Sequence, residues 1–231
     1  MSNNHIHQAY DNDLKMLNEH ILLMATKVEK MIDTSILALK NIDIDLAKSI
    51  IELDLIIDKE EIIIDRKCLE ILAQRQPLGQ DLRLVISILK MVTYIERLGD
   101  LAAKIGYLII KLNKNNIAAK FDELEEMSMG VKEMLKKTIE AFITKDIKKA
   151  SKVISQDSIL DEIYQKISKQ FIMEIGKNNK DMQCFYHLLS IAKWLERMGD
   201  HTVKLAELII FLVKGQDIRH QQTTKSSVSL F

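Results

Sequence analysis

The sequence contains few residues that interrupt helices and few that could form a disulfide framework. Its 231 residues include one proline, Pro77, and seven glycines, which leaves few positions for tight turns. The two cysteines, Cys68 and Cys184, have no CxxC partner, so we expect reduced, buried thiols without a chemical role. Hydrophobic residues make up 47% of the chain, and strong helix formers are abundant. The composition therefore predicts an all-α protein with a sizeable core.

The chain also lacks a net charge and a long hydrophobic run. Its 33 basic residues balance its 33 acidic residues, so no overall field would attract nucleic acid or an anionic membrane. The longest uncharged apolar runs, such as Leu208 to Val213, are too short to span a bilayer. The first seven residues lack the charged and apolar regions of a signal peptide. We expect a cytoplasmic protein with no membrane span and no nucleic-acid partner.

One pentapeptide occurs twice. Glu96-Arg97-Leu98-Gly99-Asp100 returns one hundred positions later as Glu196-Arg197-Met198-Gly199-Asp200. A shift of 103 residues aligns the earlier parts of the two halves, and a shift of 100 aligns the later parts. The chain is therefore built from two repeats, each with the same pair of carboxylates.

Apolar residues spaced by three and four predict three helices in each repeat, over residues 8–42, 44–74 and 79–113, then 121–144, 146–175 and 181–214. Breaks are expected at Gln76–Gly79 and Gly176–Asn179, with a hinge at Asn113–Asn116. Long helices with short links pack antiparallel in bundles. We predict two tandem three-helix bundles of six long antiparallel helices, in residues 1–116 and 117–215, followed by a flexible polar tail at 216–231.

Glu96 and Asp100 interrupt an apolar stripe on the third predicted helix. The other members of this stripe are Leu82, Val85, Leu89, Val92, Ala103, Tyr107 and Ile110. Such a stripe predicts a buried seam, broken only by the two acids. The last helix repeats the pattern with Glu196 and Asp200, and Glu207 adds a third acid there.

A second pair of acids lies on the middle helix of each repeat. Asp54 and Asp58 correspond to Asp157 and Asp161. Antiparallel packing would place each pair opposite the Glu/Asp pair of the following helix, which predicts about four carboxylates in each half. The stripe of the first repeat contains two more acids, Glu61 and Asp65, and could be partly solvated, so the second repeat is the firmer case.

Uncompensated carboxylates are costly to bury, since the penalty is several kcal/mol per ion. One interpretation is a bound cation, because an oxygen-only ligand set suits hard ions such as Mg²⁺, Mn²⁺, Ca²⁺ or iron. The other is an internal network of ion pairs with Arg97, Arg197, Lys104 and Lys204. Both interpretations remain open at this stage.

The repeat argues against several other candidates. Glu29 and Asp33 have the same spacing, but their counterparts are Lys132 and Lys136, which indicates a solvated face. His201 corresponds to Leu101 and lies at the flank of the stripe, so we expect it at most beside a ligand.

These motifs together resemble the PhoU family of phosphate-signalling regulators over about residues 15–214. The match rests on Gln76-Pro77 followed by Asp81-Leu82-Arg83, on both E-R-x-G-D pentapeptides, on Asp157 to Asp161, and on Ala206-Glu207. The resemblance implies a non-enzymatic adaptor between the ATPase subunit of a phosphate ABC transporter and a sensor histidine kinase. Such an adaptor damps phosphate-starvation genes when phosphate is plentiful, and its partners would recruit it to the inner face of the membrane.

The resemblance also implies metal sites and, by analogy, a homodimer. Iron, Mn or Mg ions, including multinuclear clusters, would be held by two sets of acids, with Glu207 as an additional candidate. The two sets are Asp54, Asp58, Glu96 and Asp100, and Asp157, Asp161, Glu196 and Asp200.

Two rival functions remain. A ferritin-like di-iron oxidase would also be helical and rich in carboxylates, but it requires Glu-x-x-His steps, and Gly99 and Gly199 stand at the histidine position. A metal-free helical scaffold with salt-bridged acids is the other rival.

Overall fold

The computed structural model describes residues 2–112, 122–177 and 182–218, which form six long helices. These are α1 (Ser2–Asn41), α2 (Ile44–Arg75), α3 (Gly79–Lys111), α4 (Asp122–Thr144), α5 (Ile147–Lys177) and α6 (Met182–Lys214). The described residues include no strand. The prediction of an all-α protein with three helices in each repeat is confirmed. Within the described part of the chain, no helix is both long and apolar enough to cross a bilayer.

Three helix ends differ from the prediction by two residues or more: the start of α1, the end of α5, and the end of α3 at Lys111. α1 begins at Ser2, six residues earlier than expected, because the polar start of the chain contains no residue that stops a helix. α5 continues through Gly176 to Lys177, since a helical glycine costs only about 1 kcal/mol and does not end a helix by itself. The predicted hinge at 113–116 and the break at 178–179 lie outside the described residues. Residues 216–218 are not helical, and the rest of the predicted tail is also outside this range.

The turn between α1 and α2 is repeated between α4 and α5. Ile42 and Lys145 adopt positive φ values of 49° and 53°, and an aspartate follows each of them. Asp43 Oδ1 accepts hydrogen bonds from two amides of the next helix, both at 3.0 Å. Asp146 Oδ1 does the same at 2.8 and 3.2 Å. These caps fix where α2 and α5 begin.

The two bundles share one core. The three helices of each repeat pack against one another, and the repeats meet through α3 against α6 and α1 against α4. The buried hydrophobic side chains of both repeats form a single cluster. Between α1 and α4, Lys132 Nζ lies 2.6 Å from Asp33 Oδ2. Asp33 therefore has a cationic partner at the junction of the repeats, outside the acid stripes.

The acid stripe of α3 lies at the edge of the core. Its end residues Leu82, Tyr107 and Ile110 are exposed by 38%, 52% and 37%, so the prediction of a fully buried seam is wrong at both ends of the helix. The physical reason is that α3 packs on α1 and α6 as well as on α2. Its fully buried positions include Val85 and Val92 in the middle of the stripe, and Ile88 and Ile95 on the neighbouring face. Glu96 and Asp100 are half-buried.

Candidate functional site

α2 and α3 bring five carboxylates together, and we call these Asp54, Asp58, Glu61, Glu96 and Asp100 the first acid cluster. Burial raises the pKa of Asp54 to about 6, with further contributions from the negative charges of Asp58 and Asp100. Burial and then the charges of the other four members raise the pKa of Glu96 to about 7. The predicted juxtaposition of the two acid pairs is therefore present in the structure, and Glu61 adds a fifth acid.

Positive charge in the first acid cluster is scarce. Lys104 Nζ lies 2.6 Å from Asp100 Oδ2. Burial, with the charges of Asp65 and Asp58, raises the pKa of Glu61 against the opposing effects of a hydrogen bond from Thr93 and the charge of Arg97. Asp54 Oδ1 is buried and has no hydrogen-bond partner. One lysine thus forms an ion pair within a group of five acids.

α5 and α6 form the second acid cluster, which consists of Asp157, Asp161, Glu196 and Asp200. Burial raises the pKa of Asp157 to about 6, and the charges of the other three acids contribute. The pKa of Asp200 is raised by burial and then by Glu196 and Asp161. The acids predicted for the second repeat also lie together.

The second acid cluster has more compensation. Lys193 Nζ lies 2.7 Å from Glu196 Oε2, and the positive charge of Lys204 lowers the pKa values of Asp157 and Asp200 against the dominant effect of burial. Lys193 could not be found from the repeat, because its counterpart in the first repeat is Thr93. The first acid cluster therefore carries the larger unbalanced negative charge, and the expectation that the second repeat is the firmer metal site stays a prediction.

Glu207 has its own partner. Its side chain is only 5% exposed, and its Oε2 atom lies 2.9 Å from Lys204 Nζ. The ion pair accounts for the burial of this carboxylate, and a role for Glu207 as a metal ligand stays a prediction.

The glycine of each pentapeptide has a packing role. A Cβ atom at Gly99 would lie 3.4 Å from Asp54 Oδ1, and one at Gly199 would lie 3.2 Å from Asp157 Oδ1 and overlap Leu160 Cδ2. The absence of a side chain lets the first acid of the middle helix lie against the backbone of the next helix. The glycines thus bring the acids of α2 and α5 close to those of α3 and α6.

The donor atoms of both clusters fit a hard cation. All are carboxylate oxygens, which Mg²⁺, Mn²⁺ and iron accept, and the unpartnered Asp54 Oδ1 is available for a further interaction. Within residues 2–112, 122–177 and 182–218, no three His, Cys, Asp or Glu side chains are placed as ligands of one ion. Side chains would have to rotate to bind a metal, and the assignment of these residues as ligands stays a prediction.

The arginines do not form the ion pairs with the acid clusters that the second interpretation predicted for them. Neither Arg97 nor Arg197 forms an ion pair with a carboxylate of the described residues, whereas Lys104, Lys193 and Lys204 each do. Arg97 instead stacks over the Tyr94 ring, with 5.6 Å from Cζ to the ring centroid. Internal compensation therefore comes from lysines.

The chain has relatives among known proteins. It is 33% identical over 222 residues to the phosphate-specific transport system accessory protein PhoU homolog of Pseudomonas aeruginosa, which covers 96% of this chain and 92% of that protein. It is 32% identical over 218 residues to the phosphate-specific transport system accessory protein PhoU of Escherichia coli K12, which covers 94% of this chain and 90% of that protein.

Solved structures and a family model agree with these relatives. The crystal structure of PhoU from P. aeruginosa superposes with a TM-score of 0.86 at 32% identity, over 90% of this chain and all of that chain. The phosphate transport system regulatory protein PhoU from Streptococcus pneumoniae superposes with a TM-score of 0.83 at 28% identity, over 90% of this chain and 99% of that chain. The PhoU domain model matches twice, at residues 21–109 and 124–209. The chain therefore belongs to the PhoU family.

Proposed function

We propose that this protein is a cytoplasmic accessory regulator of phosphate uptake and phosphate-starvation signalling. The observation that carries the proposal is the match to phosphate-specific transport accessory proteins along nearly the whole chain and in both repeats. Each repeat also contains its own acid cluster at the corresponding place in the fold. The role is regulatory and requires no catalysis.

The protein acts as an adaptor between the ATPase subunit of a phosphate ABC transporter and a sensor histidine kinase at the inner face of the membrane. An adaptor must bind one state of its partner more tightly, because equal affinity for both states shifts nothing. Exposed apolar side chains on α2 (Leu55, Ile62 and Leu69) and on α5 (Ile159 and Met173) support a role in protein contacts. The same surfaces are available for a homodimer.

The acid clusters are the proposed regulatory metal sites. Bound iron, Mn or Mg ions would balance the negative charge of each acid cluster, which one or two lysines compensate only in part. The unbalanced charge of the first acid cluster and the orphaned Asp54 Oδ1 support this assignment. Lysine ion pairs favour the metal-free scaffold for part of the second acid cluster, since Lys193 already compensates Glu196.

Deleting the gene in its own host should derepress phosphate-transporter genes in phosphate-rich medium. Transcript levels of the transporter operon give the measurement, and the parent gene supplied on a plasmid should restore repression. Affinity capture of the tagged chain should also recover the transporter ATPase and the kinase. Normal repression in the deletion strain would contradict the proposed function.

A further inference from the structure

α3 and α6 pack antiparallel where the two repeats meet. The ring centroids of Tyr94 and His201 lie 5.9 Å apart, and Arg83 Nε donates a hydrogen bond of 3.2 Å to the carbonyl of Leu212. Residue numbers therefore rise along α3 as they fall along α6. Arg97 is three residues after Tyr94. In this register it therefore lies opposite Met198, the residue that follows Arg197.

The two arginines belong to one surface. Arg97 and Tyr94 are three residues apart on α3, and Arg197 and His201 are four apart on α6, so each pair shares a helix face. The faces meet through the Tyr94–His201 contact. Arg97 Cζ lies 5.6 Å from the centroid of the Tyr94 ring, so its guanidinium is beside this contact.

This surface contains two positive charges without a bound counter-charge. Both arginines are exposed, and no described carboxylate pairs with either guanidinium. Of the nearby acids, Glu196 pairs with Lys193. Glu61 accepts a hydrogen bond from Thr93 and lies within reach of the charge of Arg97, but it forms no ion pair with it. Two cations in one place repel each other, so an anion between them would be stabilised by both.

The donor chemistry indicates which anion this is. A guanidinium presents planar pairs of N–H donors that match the oxygens of phosphate in a bidentate way. One guanidinium from each of two packed helices can donate to different oxygens of one tetrahedral, doubly charged oxyanion. The site requires both repeats, because each supplies one arginine.

We propose that Arg97 and Arg197 form an oxyanion site of the phosphate class at the junction of the two repeats. Its role in signalling rests on the proposed function, but its existence can be tested on the purified protein alone. The phosphate group would be that of inorganic phosphate or a phosphoryl group carried by a partner. The site contains no member of either acid cluster, although Glu61 of the first acid cluster lies within reach of the charge of Arg97.

Trp194 offers a direct probe. It is the only tryptophan in the chain and lies three residues before Arg197, on the same side of α6. Titration of the full chain with inorganic phosphate, and separately with phenyl phosphate as a phosphoryl monoester, should change Trp194 fluorescence and release or absorb heat in calorimetry. Tighter binding of inorganic phosphate would identify the free ion as the ligand, and tighter binding of phenyl phosphate a phosphoryl group.

The variant R97Q/R197Q should bind the preferred probe at least about tenfold more weakly, the loss expected from charge-assisted hydrogen bonds. R97K/R197K keeps the positive charges but lacks the planar guanidinium groups, so its affinity should lie between that of the parent and that of R97Q/R197Q. R66Q removes an exposed arginine on α2, away from the proposed site, and should bind the same probe as tightly as the parent does. The proposal is overturned if neither probe binds the parent at millimolar concentration, or if R97Q/R197Q binds as tightly as the parent. Either result leaves the deletion experiment, and so the proposed function, unaffected.

Discussion

Glu96→Gln should raise the free energy of unfolding of the metal-free protein by about 1–2 kcal/mol at about pH 8, after discounting for solvent screening of a half-buried group. Burial and four neighbouring acids raise the pKa of Glu96 to about 7. At pH 8 the folded protein therefore contains an ionised carboxylate in an unfavourable place. Glutamine keeps the shape of the side chain and removes the charge.

The sign of the pH dependence follows from the raised pKa. Below about pH 4, Glu96 is protonated in both the folded and the unfolded chain, and the substitution changes little. Between the unfolded pKa near 4.5 and the folded pKa near 7, the folded protein binds more protons, so the stability of the parent falls as the pH rises. Urea denaturation of parent and variant across this range, with a chelator present, measures the effect.

Glu133→Gln is the matched control for this experiment. Glu133 is an exposed acid on α4 whose pKa is lowered by its hydrogen bond to Lys137, so its loss should give no stabilisation at pH 8. A Glu96→Gln variant that is destabilised at pH 8 would show that Glu96 is a favourably paired anion, and an equal change in stability at pH 4 and pH 8 would show that the charge of Glu96 is not the cause. Either result would contradict the claim that the first acid cluster carries unbalanced negative charge.

Gly106→Ala should lower the free energy of unfolding by about 1–3 kcal/mol, the usual cost of inserting a methyl group into a tightly packed interior. A Cβ atom at Gly106 would lie 2.9 Å from the carbonyl oxygen of Ala47 and 3.4 Å from Ile51 Cγ1. A backbone carbonyl cannot rotate away as a side chain can. α2 and α3 would have to separate, and this would also widen the gap that holds the first acid cluster.

Gly99→Ala provides the comparison on the same helix. Its Cβ would make contacts of ordinary length, 3.4 Å to Asp54 Oδ1 and Ile57 Cγ2, and alanine favours the helix by about 1 kcal/mol. We expect its stability to stay within about 1 kcal/mol of the parent. Equal stability of the two variants in urea denaturation would contradict the tight α2–α3 packing at Ala47.

The sequence was informative where the repeat and the helical period agreed. The six helices and the pairing of Asp54 and Asp58 with Glu96 and Asp100 follow from apolar spacing and antiparallel packing. A break such as that at Pro77 was also predictable, because proline cannot continue a helix. The start of α1 was not, since Ser2, Asn3 and Asn4 are all residue types that cap helices, and no apolar stripe marks where the helix begins.

The charge balance of the site was harder to predict. The repeat does not predict Lys193, because Thr93 takes its place in the first repeat. The acids of α5 that lie near the acids of α6 are known only from the packing of the two helices. Whether Lys204 pairs with an aspartate or with Glu207 depends on side-chain rotamers, which helical periodicity does not specify. The same holds for Arg97, whose guanidinium could contact an acid or an aromatic ring one turn away and stacks on Tyr94.

The rivals differ from the proposed function at identifiable residues. A ferritin-like oxidase requires histidine at the positions of Gly99 and Gly199, where glycine lies against the preceding helix. A metal-free scaffold requires the acids to be compensated internally. Glu207 is compensated in this way by its ion pair with Lys204. Asp54 is not, because its buried Oδ1 atom has no hydrogen-bond partner.

The metal content of the untagged protein tests the central claim most directly. Protein purified from cells grown with iron and manganese should contain bound metal by elemental analysis, and a variant carrying E96Q, D100N, E196Q and D200N should lose it. The control variant E29Q/D33N has the same acid spacing on α1 and should retain the metal of the parent. A parent protein without metal, or a fourfold variant with the same metal content, would contradict the account.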